Sequence, residues 1–140
     1  MKLMRAIQEG IYRWRQPLSL GEKGEEAAVK FLKRKRYVII ATGENLHLGE
    51  IDIVAVDHRT VVFVEVKTRR SEERGHPADA VDEQKQRQIS RLAEIYLKRH
   101  DLYDYPSRFD VIAVLWPEKQ RKPVIEHYES AFEAITGPWD

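Results

Sequence analysis

The stretch GEIDIVAVDHRTVVFVEVK, residues 49–67, decides the fold. It contains two runs rich in Ile and Val, over 50–56 and 61–68, separated by four polar residues. This pattern predicts two strands joined by a short turn, and so short a connection implies an antiparallel hairpin. The remaining elements are expected to assemble around this hairpin.

The same stretch places acidic residues and a lysine inside apolar strands, where charge is costly. Alternate residues of a strand share a face, so Glu50 and Asp52 are expected to project together, as are Glu65 and Lys67. In a hairpin these groups lie at the end away from the turn. We therefore expect the charges of both strands to converge at one end of the sheet.

Two converging carboxylates repel one another, so a cation between Asp52 and Glu65 would explain the cluster. Ligands that offer only oxygen favour a hard ion such as Mg²⁺ or Mn²⁺. Lys67 would then orient or deprotonate an attacking water. The alternative is a plain ion pair between Glu65 and Lys67, with Asp52 capping the preceding loop. The surrounding Ile and Val favour the cation, because burial without one would be expensive.

The rest of the chain predicts an α/β fold with a mixed central sheet flanked by helices. Apolar spacing and turn residues indicate helices over 1–16, 20–36 and 78–99, strands over 37–41, 108–115 and 123–128, and a loop over 43–49. We expect residues 1–17 to form a helical extension and 18–140 a single domain. The apolar stripe of the extension favours packing on its own domain over docking to a second copy or a protein partner.

Composition limits the classes of function. The chain has 140 residues, with 24 Lys and Arg against 23 Asp and Glu, so nucleic-acid binding would depend on local patches. The absence of Cys excludes disulfides and thiolate metal sites. No apolar run is long enough to cross a bilayer, and no secretory signal is evident, so we expect a cytoplasmic location without membrane contact.

Three polar residues fall on the apolar stripes of the two long helices. Glu25 shares the stripe of Leu32, while Lys85 and Gln88 share that of Ile89. A single such residue is usually a boundary residue whose charged end reaches solvent. Three of them beside an acidic sheet end are expected to form the walls of one polar site.

Five segments together resemble the UPF0102 (YraN-like) family of predicted endonucleases, within the PD-(D/E)XK nuclease superfamily. These segments are GEKGEEAA, GEIDIVAVD, FVEVKTRR, DEQKQRQI and RFDVIAV. The resemblance spans roughly residues 20 to 115, and the order of the segments makes it far more specific than E-x-K alone. It implies a restriction-endonuclease-like fold with an α-β-β-β-α-β core.

The resemblance also implies roles for individual residues. Asp52 and Glu65 match the metal-binding acids, Lys67 matches the superfamily lysine, and the Val66 carbonyl is an expected further ligand. Glu25 matches the acid of the first helix, which can bind metal directly or through water. Lys85 matches the lysine of the later helix, a candidate for contact with the scissile phosphate.

Apart from the resemblance, Gln88, Arg69 and Arg70 are candidates for substrate contact by their positions, and Glu50 is a candidate for the outer shell because it shares the Asp52 face. His47 is a further outer-shell candidate, but for a lone loop histidine plain exposure is the favoured interpretation.

One segment departs from the family pattern. Members usually carry an Asn and an Arg ahead of G-E-I-D, where this chain has TGENLHLG, with Asn45 and His47 as uncertain replacements. Beyond the site, Arg69, Arg70 and Arg74 lead into a loop that could hold phosphates. The basic residues of the later helix are interpreted as a solvated face: Arg87, Arg91, Lys98 and Arg99.

Two functions stay open on the sequence. The resemblance implies an endonuclease that hydrolyses DNA with Mg²⁺ or Mn²⁺, with structured or branched DNA among its substrates. The alternative is a catalytically silent module that binds nucleic acid or protein and retains the nuclease fold. The joint presence of Glu25, Asp52, Glu65 and Lys67 favours the enzyme, because a binding module does not need all four.

Overall fold

The computed structural model describes residues 1–15, 17–73 and 75–138. Its elements, in chain order, are α1 (Lys2–Arg15), α2 (Leu20–Arg34), β1 (Val38–Asn45), β2 (Glu50–Asp57), β3 (Thr60–Arg69), a short 3-10 helix (Pro77–Ala80), α3 (Glu83–Arg99), β4 (Ser107–Leu115) and β5 (Val124–Phe132).

The five strands form one sheet in the order β1-β2-β3-β4-β5. Neighbouring strands are antiparallel except β3 and β4, which are parallel and are connected through α3. From α2 to β4 the elements follow the α-β-β-β-α-β order expected for a restriction-endonuclease-like core. The predicted mixed sheet with flanking helices is therefore confirmed.

Several element boundaries differ from the sequence prediction, and β5 in particular extends to Phe132 and not to residue 128. The loop expected over 43–49 is shorter, because β1 continues to Asn45, which pairs with Glu50 at the start of β2. The later helix begins at Glu83 and not at residue 78. Asp82 caps it, since its Oδ1 accepts a hydrogen bond of 2.8 Å from the Lys85 backbone N–H.

Apolar side chains fill both faces of the sheet. Phe63 and Leu92 belong to a cluster on the α3 side, whereas Leu32 and Val64 belong to a second cluster on the α2 side. All four side chains are almost completely buried. The sheet is thus the middle layer of three, and each long helix covers one face.

The side chains of α1 that the structure describes do not pack on this domain. Leu3, Met4 and Ile7 are 73%, 61% and 46% exposed. Leu3 and Ile7 belong to the predicted apolar stripe, so the expectation that the stripe packs on its own domain is wrong for these two residues. The side chains of Ile11 and Trp14, also expected on the stripe, lie outside the described part of the chain.

Helix α2 begins at a capping box and lies close to β3. Ser19 Oγ accepts from the Glu22 N–H at 3.1 Å, and the Glu22 carboxylate accepts from the Ser19 N–H at 3.4 Å. One turn later the buried Gly24 meets Thr68, where a side-chain methyl at residue 24 would lie only 2.8 Å from the Thr68 Cβ. A glycine here lets the helix approach the strand that carries the candidate site.

Gly24→Ala should lower the free energy of unfolding by about 1–3 kcal/mol, because the new methyl overpacks the contact with Thr68. Gly21→Ala is the matched control, since the nearest atom to its new methyl is 4.0 Å away. This control should be neutral or gain up to about 1 kcal/mol from helix propensity. Urea unfolding of both variants measures the difference, and equal stability would contradict the close approach.

In the described part of the chain, no helix is long and apolar enough to span a lipid bilayer.

Candidate active site

The site forms where β2 and β3 separate. Their pairing runs from the turn to Ile53 opposite Val64 and stops there. Asp52, the next residue, accepts a hydrogen bond of 2.9 Å from the Val66 backbone N–H on its Oδ2. Ile51 and Val54 both belong to the α3-side cluster although they are three residues apart. Strict alternation of side chains between the two faces of the sheet, as expected for Glu50 and Asp52, therefore does not continue through β2 at Asp52.

Glu65 is the buried centre of the site. Its side chain is 6% exposed, and its Oε1 lies 3.6 Å from Lys67 Nζ and 3.5 Å from Lys85 Nζ. Burial raises the pKa of Glu65 to about 7, and the negative charge of Asp52 adds to this increase. The two ammonium groups oppose the rise but do not cancel it. Glu65 and Asp52 are thus close enough to repel one another.

Glu25 approaches the same carboxylates from α2. Burial raises the pKa of its half-buried carboxyl to about 7, and the negative charge of Asp52 is the next largest cause. Glu50 and Glu22 contribute further repulsion. The structure therefore brings together Glu25, Asp52 and Glu65, as the helix stripe and the hairpin predicted.

Glu25→Gln should change how stability depends on pH. The pKa of Glu25 is raised from 4.5 to about 7, so between these values the native state binds more protons than the unfolded chain. The stability contributed by this group consequently falls as the pH rises through this window. The variant should match the parent near pH 4, and should gain on the order of 1 kcal/mol near pH 8 after allowance for solvent screening.

Denaturant unfolding at several pH values measures this effect. Glu26→Gln is the matched control, because it removes an exposed neighbouring carboxylate that faces Lys30. The gain at high pH should be absent from the control. Identical pH profiles for Glu25→Gln and the parent would contradict the repulsion from Asp52.

The donor set fits a hard divalent ion in its chemistry. Asp52 and Glu65 offer carboxylate oxygens, and their mutual repulsion would be relieved by a cation between them. Among the described residues, however, no group of three or more His, Cys, Asp or Glu side chains is arranged to hold a metal. The residues that fit are therefore the pair Asp52 and Glu65, with waters completing the shell.

Most of the chain matches one protein family. The model of "Uncharacterised protein family UPF0102" matches residues 24–114. The chain belongs to the UPF0102 family.

Relatives in several bacteria agree with this assignment. A UPF0102 protein of Rhodopirellula baltica is 50% identical over 119 residues, which is 83% of this chain and 71% of the relative. One of Geotalea uraniireducens is 49% identical over 115 residues, covering 82% and 90% of the two chains. One of Chlorobium limicola is 43% identical over 125 residues, covering 86% and 97%. These names give the family and no activity.

Other predicted site residues of this UPF0102 protein lie around the carboxylates at differing depths. Lys67, Lys85 and Arg69 are half-buried, whereas Gln88 is exposed. The expected place of Gln88 on the core stripe is therefore wrong. It lies instead over Gly49, where a side-chain methyl would come within 2.7 Å of its Nε2.

The residues expected in the outer shell are both exposed. Glu50 is near enough to Glu25 to raise its pKa. His47 has a φ of 73°, and its backbone N–H donates to Asn45 Oδ1 at 3.1 Å. Asn45 therefore shapes this turn. Arg74 lies outside the described residues.

A second polar cluster of the UPF0102 chain lies on the α2 side of the sheet and centres on Asp110, which pairs with Val64. Arg108 Nε donates to Asp110 Oδ1 at 3.1 Å and forms a local salt bridge within β4. His127 Nε2 also contacts Asp110, at 2.7 Å. His127 was not among the residues predicted from the sequence, although its alternate position in a strand could have indicated an inward side chain.

Proposed function

We propose that this UPF0102 protein is a metal-dependent endonuclease that hydrolyses phosphodiester bonds of DNA. The observation that carries the proposal is the contact of the buried Glu65 with two lysines, from β3 and α3, beside the carboxylate of Asp52. A plain structural ion pair needs one lysine. The four groups lie where the pairing of β2 with β3 ends. The two carboxylates would bind a cation, and the two ammonium groups would contact a phosphate.

Each residue has a distinct part in this proposal. Asp52 and Glu65 would hold Mg²⁺ or Mn²⁺, with Glu25 acting through water and the Val66 carbonyl as a further ligand. When bound, the ion would offset the negative charge that develops on the phosphate. Lys85 would contact the scissile phosphate, since its ammonium already lies 3.5 Å from Glu65.

The reaction itself is a hydrolysis. A water oxygen forms a bond to phosphorus, and the bond from phosphorus to the leaving sugar oxygen breaks. The leaving oxygen takes up a proton, and the attacking water loses one. Lys67 would orient this water through its ammonium group or, in its neutral form, accept its proton. Its half-buried position limits the number of competing waters.

Lys67 also joins the site to the positive residues that follow it. Arg69 is half-buried and Arg70 is exposed, directly after the catalytic segment of β3. Backbone phosphates on either side of the cut would meet this segment. DNA as the substrate and the cytoplasm as the location are parts of the same proposal.

The proposal is tested by incubating the purified protein with linear, single-stranded, flapped and four-way DNA in Mg²⁺ or Mn²⁺. Asp52→Ala and Lys67→Ala are assayed beside the parent. We expect cleavage of at least one substrate by the parent and none by the two variants. Cleavage that survives both substitutions, or binding of every substrate without cleavage, would contradict the proposed activity.

A further inference from the structure

A basic groove lies on the α2 side of the sheet, outside the candidate active site. It has a volume of about 480 Å³ and runs between α2 and the connection from β4 to β5. Its cationic lining consists of Lys23, Lys30, Arg34 and Lys122. Trp116 and Ile125 also line it and pack, partly buried, against the α2-side core. The groove therefore has an apolar floor that packs on the core and positively charged walls.

Most of the positive charge in this groove is not neutralised. Lys30 lies 3.8 Å from Glu26, the only acid that lines the groove within the described residues. Lys23, Arg34 and Lys122 form no ion pair with any residue the structure describes. Three unpaired cations around one concave surface attract a polyanion.

One wall of the groove is bonded to the strand that carries Lys67. Lys23 precedes Gly24, which packs on Thr68 directly after the catalytic Lys67. On the other wall, the Trp116 backbone N–H donates to the Arg69 carbonyl at 2.8 Å. One residue, Thr68, lies between Lys67 and Arg69 on the extended strand, so their Cα atoms are about 7 Å apart. The Trp116 wall of the groove is thus held about 7 Å along β3 from Lys67.

Arg70 lies three residues after Lys67 and beside the Trp116 wall of the groove. Its Nη1 donates to the Trp116 carbonyl at 3.3 Å, while the residue as a whole is exposed. This bond uses one of five N–H donors of the guanidinium group and leaves the others available. Arg70 can therefore contact a phosphate at the point where a backbone passes from the site into the groove.

We propose that this groove binds the sugar-phosphate backbone of DNA on one side of the cut bond. This inference rests on the proposed function, since the active site fixes where the backbone enters. The contacts are to phosphate through Lys23, Lys122 and Arg70, and against the ring of Trp116. Because phosphate contacts carry no base information, the groove adds affinity and register without sequence preference.

An ordinary solvated helix face explains these cations less well. Arg34 does lie in the last turn of α2, where a cation stabilises the helix end. Lys23, however, lies near the start of the helix, where that effect is unfavourable, and Lys122 lies in a loop. Their common feature is the groove and not the helix.

Binding is tested first with the paired variant Lys23→Gln/Lys122→Gln. Fluorescence anisotropy with labelled duplex DNA in EDTA measures Kd over a series of salt concentrations, so that cleavage plays no part. Loss of two phosphate contacts should raise Kd about tenfold and reduce the slope of log K against log salt by about 1.8. The matched control is Lys33→Gln/Arg99→Gln, which removes two exposed cations outside the groove. The control should keep the parental slope.

Trp116 supplies an independent measurement. The chain has three Trp residues, so Trp14→Phe/Trp139→Phe leaves Trp116 as the sole indole. Its fluorescence should change on titration with DNA and saturate at the Kd found by anisotropy. Adding Lys23→Gln/Lys122→Gln to this background should shift the titration by the same factor as in the parent.

The outcomes separate this inference from the proposed function. An equal Kd and slope in the groove variant and its control, or an unresponsive Trp116, would overturn the groove even if the parent cleaves DNA. Absence of cleavage with an intact difference in slope would overturn the nuclease and keep the groove as a DNA-binding surface. Tight binding of polyglutamate but not of DNA would assign the groove to an acidic protein and overturn the inference.

Discussion

Glu65→Gln should retain the fold and lower the rate of DNA cleavage by a factor of about 100 to 1,000 or more. The substitution keeps the shape of the side chain but removes the charge that lies 3.6 Å and 3.5 Å from the ammonium groups of Lys67 and Lys85. Half of the proposed metal-binding pair is lost with it. The charge of Asp52 alone would remain to hold the ion.

Metal binding provides a readout that does not depend on cleavage. In the parent, Mn²⁺ at about a hundred times its Kd should stabilise the fold by about 2.7 kcal/mol, because it binds only the native state. This stabilisation should be lost in Glu65→Gln and kept in Glu133→Gln, which removes an exposed acid of the C-terminal segment. Calorimetric titration with Mn²⁺ should agree.

Two results would contradict the role of Glu65. Unchanged cleavage in Glu65→Gln would show that the buried carboxylate is structural. Loss of cleavage with full retention of the Mn²⁺ effect would remove Glu65 from the metal site and leave it as a group that positions Lys67 and Lys85. The thermal unfolding of each variant without metal controls for misfolding.

The hairpin could be predicted from the sequence because its determinants are local. Runs of β-branched residues and a short polar turn specify two antiparallel strands, and the structure pairs Ile53 with Val64 in that register. The rule of alternating faces then fails at Asp52. Pairing ends there because the carboxylate binds the Val66 N–H in place of a continued ladder, and no local pattern reports where a ladder will stop.

The helices show the same division between local and distant determinants. Helical spacing placed Lys85 inward, and it contacts Glu65. Gln88 lies three residues later, at about 300° around the helix, so its direction differs from that of Lys85 by about 60°. This difference is enough to leave Gln88 exposed over Gly49. Whether a residue at the edge of the apolar stripe of a helix is buried or exposed depends on where the fold places the neighbouring loop, here the loop that contains Gly49.

The polar cluster around Asp110 was the part of the structure least predictable from the sequence. Asp110 accepts hydrogen bonds from His127 and from the Ser130 N–H, across an irregularity in the pairing of β4 with β5. Such an irregularity shifts which residues lie opposite one another, and it is set by the partner strand. Within this network only the contact of Arg108 with Asp110 is local, because these two residues are two apart on one strand.

Asp110→Ala should be the most destabilising single substitution among those considered, with a loss of about 3–5 kcal/mol. Asp110 is completely buried, and its carboxylate accepts from His127 at 2.7 Å and from Arg108 at 3.1 Å. It also accepts from the Ser130 N–H at 3.0 Å. Removing the carboxylate leaves Arg108 with only part of its set of acceptors, since Asp57 remains, and leaves the His127 ring N–H and the Ser130 N–H without this acceptor.

The effect of Asp110→Ala on the free energy of unfolding should depend on pH, because the pKa of Asp110 is lowered in the native state. Burial alone would raise the pKa of Asp110, but the hydrogen bonds from His127, Arg108 and Ser130 outweigh burial and hold the pKa below its ordinary value of 3.8. The stability that the ionised group contributes is therefore present above that value and is lost as the pH falls through the native pKa. The difference between Asp110→Ala and the parent should accordingly be full at neutral pH and shrink in acid.

Thermal and urea unfolding across this pH range measure the effect, with Asp57→Asn as the matched control. Asp57 accepts from the same Arg108 at 3.0 Å, but its side chain is 25% exposed, so water can replace the lost interaction. We expect a loss of about 1 kcal/mol or less for this control. Equal losses for the two variants would contradict the claim that the buried carboxylate of Asp110 stabilises this part of the sheet. That claim requires burial, and not the ion pair with Arg108, to set the size of the effect.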